Sequence, residues 1–434
     1  MPARPLPDKP TVFTRSHPSD FTQPKSLGVS CSGRAAKTRD ENMRFLRTLA
    51  VCLVATLPLP AAFAQTIDYK RLDARISRLS AEEEIVGLAV AVIDKGEISF
   101  ANGYGVAERG GLPVTNETVF RWASLSKGVA ATEVAILADR HQLSLTDTIS
   151  AFKTSLRLPG GGETRATLED VLSHRLGIVP NAYDTRLEDG WDAARIRRSL
   201  AKLKPLCPVG DCHTYQNVAY DAVSEIVEDV THAPYADAVR HSVFEPLGMV
   251  TASIGRAGLQ ASPSWARPHS KRSRAPGPPQ EKTVNDDYYR VPAAGGVNGS
   301  ILDLARYARA QMGLAPDVLS DAALTMLQTP RVYTSGEQRR MSSRYRGTVR
   351  DARYGLGWRI YKYGINGDRV VGHRGAVEGY RSFILFDPDR DTGVVVLWNS
   401  SSRRPNGIGF EVMDMLYNLP PQDWMEIDPP PTGG

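Results

Sequence analysis

Ser124-Leu125-Ser126-Lys127 places a hydroxyl and an amine three residues apart, and on a helix that spacing brings both side chains to one face. An amine so placed can take the proton from a serine, which makes the hydroxyl a nucleophile for acyl transfer. The spacing alone selects little, because Ser150 with Lys153 and Ser199 with Lys202 repeat it. Context separates the three. Ser199 falls in the basic amphipathic stretch Arg195 to Lys204 and reads as exposed, and Ser150 lies in a polar connection ahead of Pro159. Only Ser124 opens a run, Leu125 to Leu137, whose Val129, Ala130, Ala131, Val134, Ala135 and Leu137 cover most of a helix circumference. Such a helix is buried, and its N-terminal N–H groups can face a developing oxyanion. Two further constellations occur once each: Tyr215-Gln216-Asn217 after a loop of Pro, Cys and Gly, and Gly372-His373-Arg374-Gly375 on an expected strand.

The elements that must position these residues follow from periodicity. Gly87 to Ile93 reads as a buried strand, Asp94-Lys95-Gly96-Glu97 as a turn and Ile98 to Val106 as the returning strand, together a hairpin. Helices are expected over Thr167 to His174, with Thr167 as N-cap and Asp170 in its first turn, and over Val218 to Val230, Tyr235 to Phe244 and Ile301 to Met312. Pro263 to Pro292 has no periodicity and reads as a surface loop. Leu356 to Tyr361, Arg369 to His373, Tyr380 to Phe386 and Gly393 to Trp398 read as strands, with a closing helix over Glu411 to Tyr417. Strands at both ends and helices between them predict an α/β (α+β) domain over 68–123 and 290–420, with a mainly helical domain over 124–289 inserted and a tail over 421–434.

The 434 residues are 41% hydrophobic and 23% charged, an ordinary globular composition that argues against a disordered or multi-span membrane chain. The net charge of +5 lies in the N-terminal segment: beyond residue 64, Lys and Arg number 44 and so do Asp and Glu. A nucleic-acid partner therefore gains no support. Met43 to Ala64, with a basic start, a short apolar run and an Ala-Phe-Ala end, reads as a signal peptide cleaved after Ala64, with no transmembrane span left behind. The alternative is a membrane-anchored helix. Residues 1–42 read as a disordered leader or a mis-set start. The expected location is periplasmic or secreted, where Cys207 and Cys212 would form a disulfide. With His213 they could instead be metal ligands, but no fourth ligand stands at a recognisable spacing.

Ser-x-x-Lys, Tyr-x-Asn and His-x-Gly in this order resemble the three motifs of the class C β-lactamase and penicillin-binding serine hydrolase superfamily. Phe120 to Ala123, Thr167 to Gly177, and Gly295 to Ser300 with Asp303 look like segments of the same family, and the resemblance spans roughly residues 70 to 418. It implies an antiparallel sheet flanked by helices and an acyl-enzyme mechanism without metal or cofactor. Ser124 would be the nucleophile, Lys127 its partner, Tyr215 the proton shuttle, and Asn217 a hydrogen-bonding group for the substrate. His373, Arg374 and Gly375 would line the acyl pocket, and the N–H of Ala376 would join that of Ser124 as oxyanion hole. Lactamases of this class resemble Lys-Thr-Gly where this chain has His-Arg-Gly, and a neutral His supplies no fixed charge. The third motif resembles instead the esterase, D-amino-acid peptidase and DD-peptidase branches. Arg374 could grip a substrate carboxylate from further out, or bend to solvent. The expected substrate is a small-molecule or peptide ester or D-amino-acid amide; a β-lactamase and a catalytically silent protein that captures cell-wall fragments are the competing readings.

Overall fold

The computed structural model describes residues 67–271, 277–345 and 347–429; the expected leader and signal peptide over 1–64 lie outside the described residues. Eight strands form one antiparallel sheet: β1 (Gly87–Asp94), β2 (Glu97–Gly105), β3 (Val332–Tyr333), β4 (Val349–Tyr354), β5 (Arg359–Tyr363), β6 (Asp368–Val377), β7 (Tyr380–Asp387) and β8 (Thr392–Trp398). Their order is β2-β1-β8-β7-β6-β5-β4-β3. The N-terminal hairpin thus joins the C-terminal strands through β1 and β8, from Leu88 opposite Trp398 to Ile93 opposite Gly393. Its turn needs left-handed backbone at Lys95 (φ 53°) and Gly96 (φ 80°), the twist that suits a tight hairpin.

Both faces of this sheet are covered, which is why β1 reads as a continuous apolar run rather than an alternation. Leu88, Val90 and Val92 meet Leu72, Ile76 and Leu79 of the Tyr69–Ser80 helix and Ile408, Val412 and Met413 of the Asn406–Leu416 helix. Ala89, Ala91 and Ile93 point the other way, into the core that holds the Ser126–Asp139 and Ile301–Gln311 helices. The chain between 126 and 261 adds no strand to the large sheet and is built of short helices, among them Leu168–Leu172, Asp184–Glu188, Ala193–Ser199 and Ala222–Thr231. Thr167 caps the first of these through a reciprocal box with Asp170.

Three departures from the sequence reading bear on the site. The strand expected from Leu356 begins at Arg359, because Gly357 turns at φ 73° where a Cβ would lie 2.6 Å from the Lys127 carbonyl oxygen. The Pro263 to Pro292 segment is not wholly a surface loop: His269–Ser270 pairs with Gln280–Glu281, and the buried His269 donates its N–H to the Asn399 carbonyl at 3.0 Å. Within the basic stretch Arg195 to Lys204, Arg197 is buried in an ion pair with Asp221 at 2.6 Å, and Ser199 is half-buried rather than exposed.

Candidate active site

Trp122 fixes the approach to Ser124. Its N–H donates to the Val297 carbonyl (2.9 Å), its indole to the Gly299 carbonyl (3.1 Å), and its own carbonyl accepts from the Ser382 hydroxyl on β7 (2.6 Å). Ala123 then adopts φ 49°, an unfavourable conformation for alanine that its surroundings impose. Ser124 sits in the single 3₁₀ turn Ala123–Leu125, so the long helix starts two residues later than expected, at Ser126. The Ser126 hydroxyl, also inside the motif, is buried; it donates to the Ala123 carbonyl (2.7 Å) and accepts from the Val297 N–H (3.0 Å). Ser124 remains half-buried and lines an open cavity of about 1050 Å³ together with Tyr215, Asn217, Arg374, Gly375 and Ala376.

Lys127 is fully buried one turn on. Its ammonium donates to the Asn217 amide oxygen (2.7 Å) and the Ala294 carbonyl (3.0 Å), and lies 4.8 Å from the centre of the Tyr215 ring. Asn217 faces two ways, since its amide nitrogen donates to Asp184 at 2.6 Å. Burial pushes the Asp184 carboxyl up, against the Asn217 bond and the Lys127 charge. The first two motifs are therefore one hydrogen-bonded unit.

The third motif reaches the same cavity because β6 outruns its neighbour. β5 pairs with β6 only from Asp368 to Gly372, so His373 to Val377 extend past it beside the Ser124 turn. The approach is tight: a Cβ on Gly375 would lie 2.1 Å from the Ser382 hydroxyl and 2.3 Å from the Trp122 carbonyl oxygen, so this position admits glycine alone. Ala376 follows, exposed to the cavity. His373 is buried behind it, with Nδ1 2.9 Å from the Arg374 carbonyl and Nε2 3.1 Å from the Tyr354 hydroxyl. Burial, with Arg359 and Lys127 nearby, holds its pKa well below the ordinary value, so the ring is neutral, donating through Nδ1 and accepting at Nε2.

The Beta-lactamase family model matches residues 72–411. The chain belongs to that family. Within it, the chain is 26% identical over 356 residues to the unguisins hydrolase ungD' of Aspergillus campestris (78% of this chain, 64% of that protein). It is 30% identical to the esterase EstB of Burkholderia gladioli (58% and 73%) and 26% identical to a D-aminopeptidase of Gluconobacter oxydans (76% and 59%). The chain thus spans just under two thirds of the fungal relative's length. The octameric penicillin-binding protein homologue from Pyrococcus abyssi superposes with a TM-score of 0.72 at 25% identity, over 81% of this chain and 78% of that one. A class C β-lactamase does so at 0.65 and 21%, over 83% and 99%.

Two expectations about this family member's site are corrected or extended by its side chains. Arg374 does not bend to solvent: it lines the cavity of Ser124 and pairs with Glu337, a buried carboxylate on the Ser335–Arg344 helix. Arg340 (3.0 Å), Arg359 (3.5 Å) and the Tyr361 hydroxyl (2.9 Å) converge on the same group. Burial alone would raise the Glu337 carboxyl, but Arg359, Arg374 and Arg340 outweigh it and hold it at about 2. Arg359, so anchored, lies 5.6 Å from the Tyr215 ring centre. Glu337 and Arg359 were missed because a helix of polar residues and a lone strand arginine carry no pattern. His174 had a signal, lying in the segment Thr167 to Gly177. It is fully buried at φ 59°, accepts the Gln216 N–H at Nδ1 (3.2 Å) and packs 4.3 Å from the Tyr215 ring, which it positions. Burial, His213 and Lys127 keep it neutral.

Cys207 and Cys212 are joined in a disulfide, which removes both thiolates from the metal-ligand alternative. Cys212 and His213 line the cavity, so the bridge braces the wall next to Tyr215. No helix of the described residues is long and apolar enough to cross a membrane.

Proposed function

We propose that this chain is a serine hydrolase that works through an acyl-enzyme on Ser124, with an ester or a D-amino-acid amide as substrate. The observation that carries the reading is the buried Lys127 ammonium, held by Asn217 and Ala294 and set against Tyr215 in the wall of the cavity that Ser124 lines. Ser124 Oγ attacks the substrate carbonyl while its proton passes to the Tyr215 oxygen, which acts in this step as a phenolate facing the Lys127 ammonium. The N–H groups of Ser124 and Ala376 receive the oxyanion. The tetrahedral intermediate expels the alcohol or amine, which takes that proton, and water then releases the acyl group by the same route. Asn217 does more than hold substrate: it ties Lys127 to the second motif. Export to the periplasm or medium fits the Met43 to Ala64 pattern and the disulfide.

A β-lactamase comes second, because His373 is neutral and Arg374 is engaged with Glu337, so the third motif presents neither the ammonium nor the hydroxyl of the Lys-Thr-Gly pattern. A silent capture protein has no need of a buried lysine beside a cavity serine. Labelling by a fluorophosphonate probe tests the nucleophile. Ser124→Ala should abolish it and cost at least ~10³ in turnover, whereas Ser150→Ala and Ser199→Ala change little. Equal losses from all three would overturn the assignment, and rates on p-nitrophenyl esters, D-alanyl anilides and nitrocefin rank the substrates.

A further inference from the structure

Among the described residues, both hydrogen-bond partners of the buried Lys127 ammonium are uncharged: the Asn217 amide oxygen at 2.7 Å and the Ala294 carbonyl at 3.0 Å. A buried cation is costly without an opposite charge. The carboxylate that answers it stands one group further back, where Asp184 Oδ2 accepts from the Asn217 amide nitrogen at 2.6 Å, and the Lys127 charge favours its ionised form. Asp184 is buried and does not line the cavity of Ser124. Its other oxygen, Oδ1, has no hydrogen-bond partner among the described residues, and no side chain caps the Asp184–Glu188 helix that it opens. A carboxylate buried with one oxygen unmatched weakens the fold rather than stabilising it, which points to a role elsewhere.

That role follows from the chemistry of the amide between the two charges. An asparagine side chain has one acceptor end and one donor end. With its oxygen toward Lys127 and its nitrogen toward Asp184, both ends of Asn217 match; turned over, it would set N–H groups against the ammonium and an oxygen against the carboxylate. The turn that carries Asp184 is strapped to the second motif. The Asn181 N–H donates to the Tyr215 carbonyl at 2.8 Å, and the Gln216 amide donates to the Val179 carbonyl at 2.8 Å. Asn181 (φ 52°) and Tyr183 (φ 62°) take left-handed backbone to make this turn, a strain that marks functional segments.

We propose that Asp184 is a positioning residue for the acyl transfer: it fixes the Asn217 amide so that Asn217 and Ala294 take two of the three N–H groups of Lys127 and the third is left for the side of Tyr215. The interposed amide also keeps the carboxylate from pairing directly with the ammonium, a contact that would draw it away from the Tyr215 ring, 4.8 Å distant. The role rests on the reading of Ser124 as nucleophile.

The rate of fluorophosphonate labelling of the full chain tests it, through a cycle of Asp184→Ala, Asn217→Ala and the double variant. Each single substitution should slow labelling by about tenfold to a hundredfold, and Asp184→Ala should add less than about threefold once Asn217 is alanine. On a p-nitrophenyl ester the loss from Asp184→Ala should fall on kcat, with KM within about threefold, because Asp184 does not line the substrate cavity. A general loosening of the fold would slow labelling as much without Asn217 as with it, and that result would overturn the proposal. So would a loss carried by KM. Should Asp184→Ala fail to fold, Asp184→Asn, of the same size, takes its place in the cycle and the same results decide. An unaltered chain that takes no label overturns the Ser124 reading and this role with it, whereas equal labelling of the unaltered chain and the Asp184 variant overturns the role alone.

Discussion

Replacing Glu337 by glutamine removes the charge on which Arg340, Arg359 and Arg374 converge while keeping the side chain's size and an acceptor for the Tyr361 hydroxyl. The guanidiniums hold the folded carboxyl at about 2 against an ordinary 4.5. A folded value below the unfolded one means that the ionised form stabilises the fold. That stabilisation is complete above about pH 4.5 and is lost as the pH falls through about 2. At about 1.36 kcal/mol per pH unit it amounts to roughly 3 kcal/mol at pH 7 and roughly 1 kcal/mol at pH 3. Glutamine also strands Arg359, whose side chain is 12% exposed, as a buried cation without its counter-charge. Urea unfolding of both proteins at the two pH values measures the gap directly. Glu337→Gln should be less stable by roughly 3 kcal/mol at neutral pH, and the difference should shrink by roughly 2 kcal/mol at pH 3. A gap of the same size at both pH values would refute the charge argument and leave only packing.

Gly375→Ala should cost more than about 2 kcal/mol and slow probe labelling by about 10², because the added methyl displaces either the strand or the Ser124 turn; normal labelling would show that the approach is looser than described. Arg374→Ala should lower stability by about 1 to 2 kcal/mol and affect an anionic ester and a neutral ester of the same acyl group alike. A loss of about tenfold confined to the anionic member would mean that Arg374 reaches the substrate after all. Reducing the Cys207–Cys212 bridge should remove about 2 kcal/mol and slow turnover together, since Cys212 and His213 wall the cavity of Ser124. Full activity after verified reduction would separate the bridge from the site.

Much of the fold was readable because its determinants are local. The β1–β2 hairpin, the Thr167 cap, the buried Ser126–Asp139 helix and strands β6, β7 and β8 all announce themselves through periodicity, turn residues or capping chemistry within a few residues. The Tyr69–Ser80 and Ser335–Arg344 helices were not singled out. The first buries a stripe of three residues against the sheet, and the second buries only Glu337 and Met341, so its helicity rests on what it packs against.

The candidate site divides in the same way. Ser124, Lys127, Tyr215, Asn217 and the His373 to Ala376 strand were legible because a motif states residue type and order, and chain order is what a sequence contains. The pairing of Arg374 with Glu337, the burial that keeps His373 neutral and the two hydrogen bonds of Asn217 to Lys127 and Asp184 were not legible, because each depends on groups far away in the chain and on burial. Glu337 meets Arg374 across 37 residues and Lys127 meets Asn217 across 90. The sequence by itself determined which reactive groups are present and the strands and helices that carry them. Only the tertiary structure decided which charges are spent on one another and which remain to meet a ligand, because electrostatic energy depends on distance and desolvation, quantities that exist only once the chain has folded.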